Sequence, residues 1–334
     1  MIRLLQIVIG IVVSAIGLYF SMKDVRPAEV WAALVSAKPL GVVGILFTTL
    51  FGFWIRAVRW RSLLITEKPI SVGSLYSATM IGFMANNVLP LRLGEFVRAW
   101  ALGRSQGIPK TRVFATVVVE RVVDMLTLIG ILGVTLMVHP LSETTEAGRL
   151  TWLGARVLVG TAIALTIALI ALERAPDGTL KVAQFLTLAL PMRARSRASK
   201  MIQQFLNGLG LFRDLPRLAW VFVLSFAMFG VVVLGLHSCL WALDIDVPWY
   251  GGLMMLVITA IGIMVPAAPG YIGTMNLACV AGLALFGVGK DLSVPFSWLY
   301  LAGQWIPVSV VGFYFLRREG LTLGSLGRAS DDGA

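Results

Sequence analysis

The apolar residues of this 334-residue chain fall into unbroken blocks of roughly 16 to 26, the length that crosses a ~30 Å hydrocarbon core as a helix. Backbone in hydrocarbon must satisfy its own polar groups, so only helices and closed barrels cross a bilayer. A barrel strand reads as an alternating segment of about 10 residues, and the blocks here do not alternate. The chain therefore reads as all-α, a polytopic helical membrane protein. Continuous spans are expected near 4–20, 40–58, 113–138, 150–172, 218–243 and 295–316. Charged residues make up 13% of the chain, against about 25% in a soluble domain, which excludes a soluble core with a single anchor. Residues 1–320 read as one integral-membrane unit, and residues 321–334 as a short polar tail.

Two further apolar regions are interrupted. Residues 74–102 are broken at "NNVLPLRLG" (86–94), and residues 251–287 at "PAAPGYIG" (266–273). Proline removes a backbone donor and glycine loosens a helix, so each break frees polar backbone that has to be buried in protein or line a wet cavity. Both breaks carry proline, three residues, then glycine: "PLRLG" and "PGYIG".

Loop charge orients the spans. Residues 98–112 carry Arg98, Arg104, Lys110 and Arg112 and no acid; residues 173–217 carry eight Lys/Arg against three acids. Both read as cytoplasmic by the positive-inside rule. Residues 139–149 and 244–249 are acid-rich and read as external. Six continuous spans then alternate with both termini inside, and the two broken regions enter as helical hairpins from opposite faces. Paired interrupted segments of this kind form the midplane substrate site in many transporters. The net charge of +11 is explained by this loop bias, which removes the case for a nucleic-acid partner. The first block follows Arg3 and is long for a signal peptide, so it reads as a retained helix. Cys239 and Cys279 lie in apolar surroundings and read as small buried hydrophobes.

Charges inside the apolar regions are the candidate site. Arg92, Glu95 and Arg98 are spaced i, i+3, i+6, a ladder along one helix face. Glu120 and Asp124, at i and i+4, share a face of the 113–138 span, with Arg121 beside them. Three central charges would cost roughly 8–10 kcal/mol, about what the apolar residues of that helix recover. Pairing with the Arg92/Glu95/Arg98 segment is the expected solution, and the six charges sum to zero. The set either locks the hairpin against the span or lines a polar cavity for a charged headgroup, for which the arginine fork suits phosphate. Arg56, Arg59 and Arg61 add positive charge, expected to be unpaired, at the same edge. Asn86 and Asn87 precede the first break. Around the second, Pro269, Gly270, Tyr271, Gly273 and Asn276 either cradle a headgroup through backbone N–H groups or form a packing hinge. No HExxH, GxSxG or phosphate-loop pattern is present, so neither a catalytic residue, a metal nor a cofactor is assigned.

The ordered set Arg59 and Trp60, Asn86 to Arg98, Glu120/Arg121/Asp124 and Pro266 to Gly273 resembles the lysylphosphatidylglycerol synthase transmembrane, or flippase-like domain, family over nearly the whole chain. The resemblance implies a bacterial or archaeal inner-membrane protein and a lipid translocase rather than an enzyme. The aminoacyl transferase that the family's best-understood members carry is not seen in this sequence. Asn276 stands where relatives commonly carry glutamate. The expected partner is a membrane lipid, a phospholipid or lipid-linked sugar phosphate, with a homo-oligomer or partner synthase also expected. The competing readings are a membrane enzyme or accessory in lipid-linked glycan modification, and a scaffold for a synthase.

Overall fold

Apart from a first helix of 21 residues and a second of nine, the helices fall into two length classes. The structure, a computed structural model, describes residues 2–64, 69–89, 93–138, 146–174, 199, 201–206, 214–264, 268–324 and 326. In chain order the helices are α1 (Ile2–Met22), α2 (Pro27–Val35), α3 (Pro39–Leu63), α4 (Val72–Val88), α5 (Gly94–Gln106), α6 (Lys110–Val138), α7 (Glu146–Arg174), α8 (Leu215–Ala242), α9 (Gly251–Met264), α10 (Thr274–Ala284) and α11 (Lys290–Arg318). A 3₁₀ turn, Pro269–Tyr271, lies between α9 and α10, and the described residues contain no strand. The chain is an all-α polytopic membrane protein, as the block lengths require.

The long class is α3, α6, α7, α8 and α11, with 25, 29, 29, 28 and 29 residues. At about 1.5 Å per residue each exceeds the ~30 Å hydrocarbon core. Long apolar stretches within α3, α7, α8 and α11 qualify as membrane spans by composition as well as length. The α6 helix has the length but carries Glu120, Arg121 and Asp124, so it spans as a charged helix. The short class is the four arms of the broken regions. With 17, 13, 14 and 11 residues, α4, α5, α9 and α10 rise only about 17–26 Å and fall short of a full crossing. The broken regions are re-entrant hairpins.

Their opposite entry follows from one helix pair. Successive glycines bring α3 and α8 together: a Cβ on Gly41 would stand 2.6 Å from that of Ala242, one on Gly44 2.7 Å from Ser238 Oγ, and one on Gly235 2.7 Å from Thr48 Oγ1. Positions rise along α3 as they fall along α8, so the two are antiparallel, with the small residues allowing the close approach that drives helix association in lipid. Lys38, at the start of α3, bonds through its backbone N–H to Ala242 O and through its side chain to Asp244, just past the end of α8. The α4–α5 hairpin enters after the far end of α3; the α9–α10 hairpin enters after the end of α8, on the other side.

Both hairpins close tightly and rest on α11. A Cβ on Gly82 would lie 2.7 Å from Arg98 Cβ and from Gly94 O, and one on Gly262 2.5 Å from Ala278 Cβ. Gly312 brings α11 against Met80 O of α4, and Gly303 brings it against Ile45 of α3. Ser297 of α11 accepts a 2.8 Å bond from Asn276 Nδ2 of α10. Ser14 of α1 accepts from the Ala268 N–H at 2.7 Å, so the first helix holds the second break.

Candidate functional site

The site begins as four arginines around two acids. Arg56 and Arg59, three residues apart on α3, face Glu120 and Asp124, four apart on α6. Arg56 Nη1 donates to Glu120 Oε1 at 2.7 Å and to Asp124 Oδ2 at 3.2 Å. Arg59 Nη1 donates to Asp124 Oδ1 at 2.5 Å and to Ser225 Oγ of α8 at 2.7 Å, and its Nη2 lies 3.2 Å from Glu120 Oε1. From α5, Arg98 grips both Glu120 oxygens while its guanidinium stacks over Trp60, 3.8 Å from the ring centroid. Arg121 reaches Glu120 at 2.8 Å and Asp124 at 3.3 Å. Arg59, Arg98 and Glu120 are almost wholly enclosed, at 0%, 1% and 0% exposure. Removing such charges from water is tolerable only because each is paired and hydrogen-bonded.

The cluster differs from the expected zero-sum ladder in composition. Arg92 lies outside the described residues. Glu95 is half-buried at the edge of the site. Arg56 and Arg59, expected to be unpaired, are instead its central cations, whereas Arg61 is exposed. Four cations therefore contact two anions, with Glu95 a third acid at the edge. Among the described residues, Arg59 Nε, Arg98 Nε and Arg121 Nε make no hydrogen bond. Of the four arginines, Arg121 and Arg56 reach the wall of the adjoining cavity, beside Glu95 and Asp124, while Arg59 and Arg98 stand behind it.

A cavity of about 400 Å³ runs from this cluster between the hairpins. Arg56, Glu95, Arg121 and Asp124 line one end, and Gly270 and Tyr271 of the second break line another part of it. Most of the wall between is apolar, supplied by α3, α6, α8, α9 and α11. Phe53 and Phe83 pack edge to face at 4.7 Å on this wall, with the Arg56 guanidinium 5.3 Å from the Phe83 ring. The two breaks meet here. Asn87, at the end of α4, donates to Ser309 Oγ at 3.0 Å and to Trp305 O at 3.4 Å, and a Cβ on Gly270 would stand 2.7 Å from Trp305 Nε1. Gly270 has φ +73°, so glycine answers both the left-handed turn and the crowding. A wider hollow of about 680 Å³ beside Trp100, Arg104 and Lys110 contains none of the cluster residues.

The remaining candidate residues divide by role. Asn86 is buried and accepts the Gly94 N–H at 2.7 Å, so it closes the first hairpin. Asn276 is buried and accepts the Gly273 N–H at 3.0 Å while donating to Ser297. With the N–H groups of Ala268 and Gly273 taken by side chains, this part of the second break is a packing hinge. Pro269 opens the turn, and Gly273 has φ +91° where α1 crosses it. Of the second-break candidates, Gly270 and Tyr271 line the cavity. Ser225, Phe53, Phe83, Thr49, Tyr300 and Gln304 carried no signal in the sequence, because each is an ordinary residue of an apolar block until the helices pack.

These features define a helical membrane protein in which two re-entrant hairpins, entering from opposite ends, close on a cavity with an arginine–carboxylate cluster at one end. The chain belongs to the family described as lysylphosphatidylglycerol synthase TM region, which it matches over residues 7–312. It is similar to a UPF0104 membrane protein of Methanothermobacter thermautotrophicus, 24% identical over 334 residues that cover 91% of this chain and 89% of that protein. It is also similar to the glycosyltransferase AglD of Haloferax volcanii, 32% identical over 139 residues, 40% of this chain. The match spans only 22% of AglD's length. No solved structure matches the chain.

Proposed function

We propose that the protein moves a lipid with an anionic headgroup, a phospholipid or a lipid-linked sugar phosphate, across the inner membrane without changing it chemically. The observation that carries this reading is a cavity lined by both breaks, with Arg56 and Arg121 on its wall and the arginine–carboxylate cluster behind them. Guanidinium groups held by Glu120 and Asp124 are pre-oriented for phosphate, and the apolar wall is compatible with a lipid. Entry of the hairpins from opposite ends supports access from both leaflets, with the basic loops and both termini in the cytoplasm.

The test is movement of a labelled phospholipid in proteoliposomes. Arg98→Ala and Gly270→Leu each abolish it in folded protein. Without Arg98, Glu120 keeps Arg56, Arg59 and Arg121, so no acid is orphaned. A side chain on Gly270 drives into Trp305, where the breaks meet. Full movement in both variants removes the shared-path reading. The AglD match favours one second reading, a part in lipid-linked glycan modification. That reading requires turnover of a lipid-linked sugar in detergent, without two compartments.

A further inference from the structure

Thr49 is anomalous among the buried threonines. Thr79, Thr127, Thr135 and Thr259 each return their hydroxyl to the carbonyl one turn back, at 2.7 to 2.8 Å. Thr116 and Thr274 bond to carbonyls three residues back. Thr49 is 6% exposed, yet its Oγ1 makes no hydrogen bond. It lines the cavity, on the same face of α3 as Arg56 and seven residues before it, a rise of about 10 Å. A buried hydroxyl without a partner costs free energy, so its retention needs a reason. The same cavity is lined by Tyr300 and Gln304 of α11, joined by a 2.9 Å bond from Gln304 Nε2 to the Tyr300 hydroxyl.

We propose that Thr49, with Tyr300 and Gln304, forms an uncharged subsite that binds the hydroxyl groups of a polyol headgroup while the arginines hold its phosphate. The inference rests on the headgroup reading above. Hydroxyls and a carboxamide both donate and accept, which matches alcohol groups in either sense. The acids lining the cavity, Glu95 and Asp124, belong to its charged end, so an ammonium group finds no counter-charge at this subsite. A phosphate at the arginine tips, extended by a short polyol, bridges the rise from Arg56 to Thr49.

Two short-chain lipids of equal charge separate the contributions: dihexanoyl phosphatidylglycerol, which has free hydroxyls, and dihexanoyl phosphatidylethanol, which has none. Each is titrated calorimetrically into the full-length protein in detergent. The parent binds the glycerol lipid about three- to tenfold more tightly, the worth of one or two net hydrogen bonds. Thr49→Val, which keeps the shape, brings the glycerol lipid to the level of the ethanol lipid, leaves the latter unchanged, and does not lower the melting temperature. Thr49→Ser restores the preference, and Arg121→Ala weakens both lipids alike. Equal affinities in the parent, equal loss of both lipids in Thr49→Val, or a lower melting temperature with unchanged binding would overturn the subsite. With Arg121 sensitivity retained, such a result leaves the headgroup reading standing. No binding of either lipid overturns the headgroup reading and the subsite together.

Discussion

Glu120→Gln tests whether the charges at the core of the bundle are held by pairing. The Glu120 carboxylate contacts Arg56 at 2.7 Å, Arg59 at 3.2 Å, Arg121 at 2.8 Å and Arg98 through both oxygens. Glutamine keeps the shape and removes the charge, leaving Arg56, Arg59 and Arg121 with Asp124 and Arg98 without its carboxylate. Breaking a buried ion pair from one side costs about 3–5 kcal/mol, because the partners stay buried without compensation. At ~2.1 cal/mol/K per residue, unfolding this chain carries an entropy of about 0.7 kcal/mol/K, so the melting temperature falls by about 4–7 °C. Tryptophan fluorescence of the detergent-solubilised protein reads the transition. Glu95→Gln, half-buried at the cavity edge, stays within about 1 °C of the parent. Charge at position 120 is immaterial to stability, and the pairing argument is wrong, if Glu120→Gln melts with the parent.

Arg59→Ala removes the most enclosed cation and its bonds to Asp124 and Ser225, whereas Arg61 is exposed; melting curves of the two alanine variants should separate, with Arg59→Ala lower by several degrees. Gly44→Val forces a side chain into Ser238 across the α3–α8 seam and costs about 1–3 kcal/mol, while Gly133→Ala, with nothing within 4 Å of its added Cβ, leaves the melting temperature unchanged; equal effects would remove the close-packed seam. For orientation, cysteine at Asp246 reacts with an impermeant reagent from outside intact cells and cysteine at Gln106 reacts after permeabilisation, the reverse pattern inverting the proposed topology.

The sequence alone determined the all-helical membrane class, the two breaks and the charged residues of α6. These are statements about lengths and about single residues in hydrocarbon: a helix must reach across ~30 Å, and a charge inside it needs a partner. The spacing of Glu120 and Asp124 even placed both acids on one face. Which cations they meet was decided by tertiary structure. Arg56 and Arg59 read as edge charges because nothing in "WIRAVRWR" says how deeply α3 sits against α6 and α8. Loop charge argued for hairpins entering from opposite faces, but their arms of 11 to 17 residues, too short to cross, emerge only when the helix ends are known. Asn276 is a further case. In the chain it is one polar residue beside a Pro-Gly turn, and in the fold it is committed to Gly273 and Ser297. The cavity depends on nine helices meeting, so Thr49, Tyr300 and Gln304 are unmarked in the sequence. Periodicity says which residues share a helix face; it does not say which helix stands opposite, and hydrogen-bond partners and cavities are properties of that second fact.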